Sequence, residues 1–259
     1  MHATAATTIP WYYLPQFRPV RLQDCVFWLE SDSFNGGIWR NLIPNSANTS
    51  HGTAHGAVGL STWHPQFAPA LEFHAGDDYI DLPLDIVFDD EMSIEIVFEF
   101  YDRTDGGRLI GSQGDNDKEE IRTYVTAPPT SLGLIVGNGN NYASVYEYID
   151  FFEKYHFIWT WKYDSGADET TLKGYKNGNF FKSTTFDDKV FLPKYNLRVA
   201  HWVAYGMKGK IYLARFYHKV LSEDEIRHNY THHPIYYLQH GIDPYQVIAA
   251  ATAAAAPSI

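Results

Sequence analysis

Carboxylates, histidines and aromatic side chains are the residues of this chain whose types and spacing bear on chemistry. Glu147, Asp150 and Glu153 form an acidic segment of the kind that cleaves glycosidic bonds. Retaining hydrolysis needs two carboxyls about 5.5 Å apart, whereas Glu147 and Glu153 on one extended strand would stand roughly 20 Å from each other. Glu95 and Glu99 share a strand face without an acid between them and are expected to line a solvated surface. His228 and His232 are four residues apart on a helical stretch, a spacing that can bind zinc, with His233 next in line. No third ligand follows from the sequence, so surface or structural histidines are the expectation. Asp77, Asp78 and Asp81 crowd one turn, and Asp115, Asn116, Asp117 and Glu119 crowd another. Short acids at a turn commonly bond their own backbone, which is the expected role of Asp77 and Asp78. Neither the Gly-x-Ser-x-Gly nucleophile elbow nor the phosphate-cradling Gly-x-x-x-x-Gly-Lys-Ser/Thr loop is present.

The elements that must position these groups are strands. Residues 70–83 alternate apolar and polar side chains around Gly76-Asp77-Asp78, which predicts strand, tight turn, strand. In residues 92–100, Ile94, Ile96 and Phe98 fall on one face and Ser93, Glu95 and Glu99 on the other. Further strands are predicted at 25–29, 108–111, 121–126, 132–137, 144–148, 155–163, 196–200 and 209–217. Asn177-Gly178 supplies the two positive φ angles of a type I′ turn within a hairpin over 171–183. Ser222 and Glu225 form a capping box that starts one short helix over 221–230.

Composition limits the rest. A chain of 259 residues, 45% hydrophobic and 16% aromatic, can fill one large sandwich core. A formal charge of −11 and the lack of a basic stripe argue against a nucleic-acid binder. Cys25 is the single cysteine, so no intrachain disulfide forms. Residues 1–10 carry neither a basic n-region nor an apolar h-region, and no stretch reaches membrane-span length, so synthesis in the cytoplasm without membrane insertion is expected.

The wording of residues 70–83 resembles that of the laminin-G-like, concanavalin A-like jelly-roll family. Residues 45–53, Trp63, 93–98, 155–160, 175–178, 196–199, 208–217 and 221–226 supply further family motifs in the right order, covering most of 21–232. His74-Ala75 stands where the family has Asp-Gly, and Ala200-His201 where it has Gly, departures that bear on a family-type loop site and not on the fold. The resemblance implies an all-β, antiparallel jelly-roll sandwich closed by one short C-terminal helix. It also implies a structural calcium ion, for which Asp77, Asp78 and Asp81 are the candidate ligands. Lectins of this fold stack aromatic rings on sugars, which makes Tyr142, Trp202 and Tyr205 the candidate ligand-binding residues. Glucanases of this fold carry a strand-borne Glu-x-Asp-x-x-Glu set. Asp150 and Glu153 fit that frame, but Tyr148 occupies the position of its first glutamate.

Three parts follow: an extended arm over 1–20, the jelly-roll over 21–232, and a C-terminal arm over 233–259 with an alanine-rich end. Prolines at 10, 15 and 19 break any regular ladder in the first arm. Trp11, Tyr12, Tyr13 and Phe17 before the domain, and Tyr236, Tyr237 and Leu238 after it, are the expected assembly contacts with neighbouring subunits. The tail is expected to extend away from the body. The resemblance runs to versions in phage and other viral particles. Its reading is a non-enzymatic, homo-oligomeric virion structural or decoration protein of capsid or tail, with host glycans as further ligands and the virion surface as its location. The alternatives are a lectin module of a cell-surface system and a glycan hydrolase.

Overall fold

The structure is a computed structural model and describes residues 19–20, 22–43, 51–62, 69–74, 77–82, 89–101, 108–112, 121–125, 130–137, 141–190, 197–200, 207–243, 246–247 and 250. Along the chain the strands run β1 (Cys25–Glu30), β2 (Phe34–Asn35), β3 (Ile38–Trp39), β4 (Gly52–His55), β5 (Gly59–Thr62) and β6 (Pro69–Phe73). They continue as β7 (Tyr79–Asp81), β8 (Glu91–Phe100), β9 (Ile110–Ser112), β10 (Arg122–Val125), β11 (Ser131–Gly137) and β12 (Tyr142–Tyr148). After them come β13 (Lys154–Asp164), β14 (Glu169–Lys176), β15 (Asn179–Asp187), β16 (Leu197–Val199) and β17 (Gly209–Tyr217), then helices α1 (Glu223–Thr231) and α2 (Pro234–Gln239). The expected all-β sandwich forms, closed by two short helices rather than one.

Sheet A has the order β15-β14-β13-β8-β17-β6-β5, with β1 also paired to β17, and sheet B the order β12-β11-β10-β9-β16-β7-β4-β3-β2. All described pairings are antiparallel. Period-two alternation sends Ile94, Ile96 and Phe98 of β8 and Phe157, Trp159 and Trp161 of β13 into the shared core. Ile80, Ile110, Leu132, Leu134, Val136, Val145, Leu197 and Val199 meet them from sheet B. The Asn177-Gly178 turn has φ values of +50° and +74° and joins β14 to β15 as predicted. The capping box is also formed: Glu225 N donates to Ser222 Oγ, and Ser222 N donates to Glu225 Oε2 at 2.8 Å.

Residues 70–83 do not make a hairpin. β6 pairs with β5 and β17 in sheet A, whereas β7 pairs with β4 and β16 in sheet B. The alternation records two strands facing one core from opposite sheets, Leu71 and Phe73 from one and Ile80 and Leu82 from the other. A sequence pattern fixes which face is buried; it does not fix the partner strand.

The polar face of β8 is not solvated either. Glu95 is fully buried because α1 and α2 cover the outer side of sheet A, and Glu99, 8% exposed, is held by Tyr212 OH and Lys154 Nζ. A second apolar cluster fills this layer, with Trp28, Val97, Ile158 and Leu213 from the sheet against Leu221, Ile226, Tyr230 and Ile235. The tail does not leave the body at residue 233. Pro234–Gln239 folds into α2, Tyr236 and Tyr237 pack partly buried on the same cluster, and Gln239 Nε2 donates to Lys154 O at 2.6 Å. Val247 packs there as well. Val20, the last residue of the predicted first arm, donates its N–H to Asn229 Oδ1 at 3.0 Å. Trp11, Tyr12, Tyr13 and Phe17 lie outside the described residues. Among the described residues no helix is long and apolar enough to cross a membrane.

Candidate functional site

Perturbed titratable groups concentrate between sheet A and the helices, where active-site chemistry would first be sought. Arg215 Nη2 donates to Glu30 Oε1 at 2.7 Å and Nη1 to Glu95 Oε1 at 3.3 Å. Glu95 also meets His156 Nε2 at 2.8 Å and accepts from Tyr217 OH at 2.8 Å and Asn229 Nδ2 at 3.0 Å. Burial works to raise the Glu95 pKa, but Arg215, then the hydrogen bond and charge of His156, outweigh it and hold the carboxyl at about 2. Burial, reinforced by Arg215 and His156, pushes His233 well below the ordinary histidine range, so its ring is neutral and Nδ1 accepts from Ile235 N at 3.2 Å. Each of these side chains is sealed from solvent. The cluster joins β1, β8, β13 and β17 to the helices.

Its pH signature is testable. His233 and Glu95 are both held below their ordinary values of 6.5 and 4.5. The unfolded chain therefore takes up protons first, and stability present above those values is lost as pH falls. The urea midpoint is expected to decline below about pH 6.5 and again between about pH 4.5 and 2. His233→Gln should remove the upper decline, and a wild-type midpoint that stays level from pH 7 to 5.5 would contradict the assignment.

The accessible polar surface lies on the outer face of sheet B. Cross-strand register aligns Thr53, Asp81, Arg198, Gly111, Arg122, Ile135 and Ser144 in one row across seven strands. At the β4–β7–β16 end, Asp81 accepts from Arg198 Nε at 2.7 Å and lies 3.1 Å from His55 Nε2. His55 stacks on Tyr79 with ring centroids 4.5 Å apart, and the Arg198 guanidinium lies 4.4 Å from the same ring centre. In the middle, a β-carbon on Gly111 would come within 3.1 Å of the Arg108 stem, so the missing side chain is what lets Arg108 cross the sheet there.

The other end is aromatic. Ala143 and Val145 of β12 point into the core, which turns Tyr142, Ser144, Tyr146 and Tyr148 outward. Tyr124 of β10 faces the same way and shares a cross-strand line with Gly133 and Tyr146. A β-carbon at Gly133 would sit 2.4 Å from the Tyr146 ring, so that ring lies down over the glycine instead of standing off the sheet. Tyr124, Tyr142 and Tyr148 are 37%, 59% and 62% exposed. Burial raises the Tyr146 pKa, so its hydroxyl is protonated at neutral pH. Beside Tyr142 an open depression of about 380 Å³ is lined by Asn141, Tyr142, Thr185, Phe186 and Asp187.

Of the residues predicted to bind ligand, Tyr142 sits on this face, while Trp202 and Tyr205 lie outside the described residues. Tyr124, Tyr146 and Tyr148, which the lectin resemblance does not single out, fall within the strands predicted at 121–126 and 144–148. The signal was a period-two run of tyrosines on the polar phase of a strand. The acidic set of 147–153 is not strand-borne: β12 ends at Tyr148, and the chain turns through Phe152, at φ +64°, before β13 begins. Asp115 to Glu119 lie outside the described residues.

Asp78 and Asp81 do not fit a calcium ion. Asp78 is buried and accepts from Ala57 N at 2.6 Å through one oxygen and from His74 N at 2.7 Å through the other. Asp81 is held by Arg198 and His55, and among the described residues no three His, Cys, Asp or Glu side chains are placed to hold a metal. Asp78→Ala leaves two N–H groups without their acceptor and is expected to cost about 2–4 kcal/mol. The loss should be the same in calcium and in chelator; a calcium-dependent loss would restore the metal reading.

Fold and face together define a jelly-roll-like antiparallel sandwich with one exposed aromatic sheet surface. No protein-family model matches the sequence, and no curated protein matches it. Among solved structures, domain 4 of AbnA, a GH43 extracellular arabinanase from Geobacillus stearothermophilus, in complex with arabinotriose, is similar with a TM-score of 0.59 at 15% identity, over 79% of this chain and 97% of that one. The binding domain of botulinum neurotoxin DC in complex with SialylT gives 0.58 at 13%, over 80% and 50%. The binding domain of Paraclostridial Mosquitocidal Protein 1 gives 0.60 at 10%, over 81% and 52%. The chain thus spans nearly all of the arabinanase domain and about half of each of the two binding domains. At these identities the likeness is one of fold.

Proposed function

We propose that this protein is a non-enzymatic glycan-binding module whose binding surface is the outer face of sheet B. The observation that carries the reading is the row of exposed tyrosines on β12 and β10, rings that the sandwich core does not use. Tyrosine combines a flat apolar ring with a hydrogen-bonding tip, as sugar recognition requires. Two of the similar solved structures hold arabinotriose or SialylT, which supports the reading. Labelled protein on a glycan array is expected to give discrete signals that fall at least tenfold in Tyr124→Ala/Tyr146→Ala, about 1.4 kcal/mol or more. No signal, or an unchanged one in that variant, would overturn it. Release of reducing ends from a bound glycan would favour the hydrolase.

We further propose that the module works in many copies on a virion or comparable particle, where repeated weak contacts raise avidity. The aromatic segment containing Trp11, Tyr12, Tyr13 and Phe17 supports this reading. Light scattering of the full chain and of a variant lacking residues 1–20 tests it: a larger species that shrinks on deletion supports assembly, and a monomer in both cases refutes it.

A further inference from the structure

We infer that the glycan is a linear chain lying lengthwise along β12 and recognised through its internal units rather than its terminus. This rests on the glycan-binding reading. The outward residues 142, 144, 146 and 148 repeat every second position, so the row extends about 20 Å. Its two ends, Tyr142 and Tyr148, are its most exposed rings. A short or branched terminal epitope could rest on one of them; only an extended chain of several units touches both.

The lane beside the row is shaped for such a chain. β12 is an edge strand of sheet B, and its inner neighbour β11 sets Ser131, Gly133, Ile135 and Gly137 opposite Tyr148, Tyr146, Ser144 and Tyr142. Three of these four are small, which leaves β11 low beside Tyr142, Tyr146 and Tyr148; Ile135, which faces outward and is covered by its neighbours, rises opposite Ser144. The Tyr146 ring lies on that floor over Gly133, which fixes its orientation before any ligand arrives. A sugar in the middle of the chain stacks on Tyr146, its neighbours meet Tyr142 and Tyr148, and the depression by Asn141 and Asp187 receives the chain as it passes Tyr142.

The test is a length series of linear gluco-, arabino-, galacto- and N-acetylglucosamine oligosaccharides of two to six units, printed through their reducing ends beside branched terminal epitopes. In at least one series, binding is expected to strengthen about tenfold or more from two units to five. Tyr148→Ala should abolish that gain while leaving the two-unit signal. Phe180→Ala, an exposed aromatic away from the row, should change nothing, and thermal melts confirm that the variants are folded. Binding that depends on a terminal epitope and not on length, or a gain that survives Tyr148→Ala, overturns the lengthwise chain but leaves glycan binding intact. No binding to any printed sugar overturns both.

Discussion

Arg215→Met is expected to lower folding stability by about 3–5 kcal/mol, the cost of leaving buried carboxylates without their cation. Glu95 and Glu30 both reach this guanidinium, and neither has water to turn to when it is gone. The loss should be seen as a lower denaturant midpoint with little change in slope. Adding Glu95→Gln and Glu30→Gln should recover part of it, since these remove the stranded charges; the three effects are therefore far from additive. A loss under about 1 kcal/mol for Arg215→Met alone would mean that water enters this layer in solution.

Trp159→Ala should cost a similar amount, about 3–5 kcal/mol, for a different reason. The indole is fully buried in the core between the sheets, 5.2 Å from the Phe157 ring centre, and its removal leaves a cavity that two rigid sheets cannot close. Trp159→Phe is expected to be much milder. It keeps most of the volume and deletes an Nε1–H that has no hydrogen-bond partner among the described residues. Equal losses for Ala and Phe would show that the indole N–H, rather than the volume, is what the site needs.

Trp159 and Glu95 mark the boundary of what could be read in advance. Trp159 lies in the strand predicted at 155–163, whose aromatics alternate, so that element was legible in the sequence. The period also placed Glu95 correctly opposite Ile94 and Ile96, but its environment depended on which surface α1 and α2 would cover, a long-range fact that no local pattern carries. The same limit explains β6 and β7: each strand was visible, and their separation into different sheets was not. On the candidate site, Tyr142 is legible by its type, whereas the placement of the Tyr146 ring depends on Gly133 across the ladder. The line Tyr124–Gly133–Tyr146 exists only once three strands are in register.

Sheet A is covered on both sides, by sheet B and by the helices, and Val247 packs on the helical side. The molecule therefore has a front and a back. Tethered to a support through residues beyond Val247, it would stand with its tyrosines turned away from the anchor, and in a dense layer of copies those faces would share one plane.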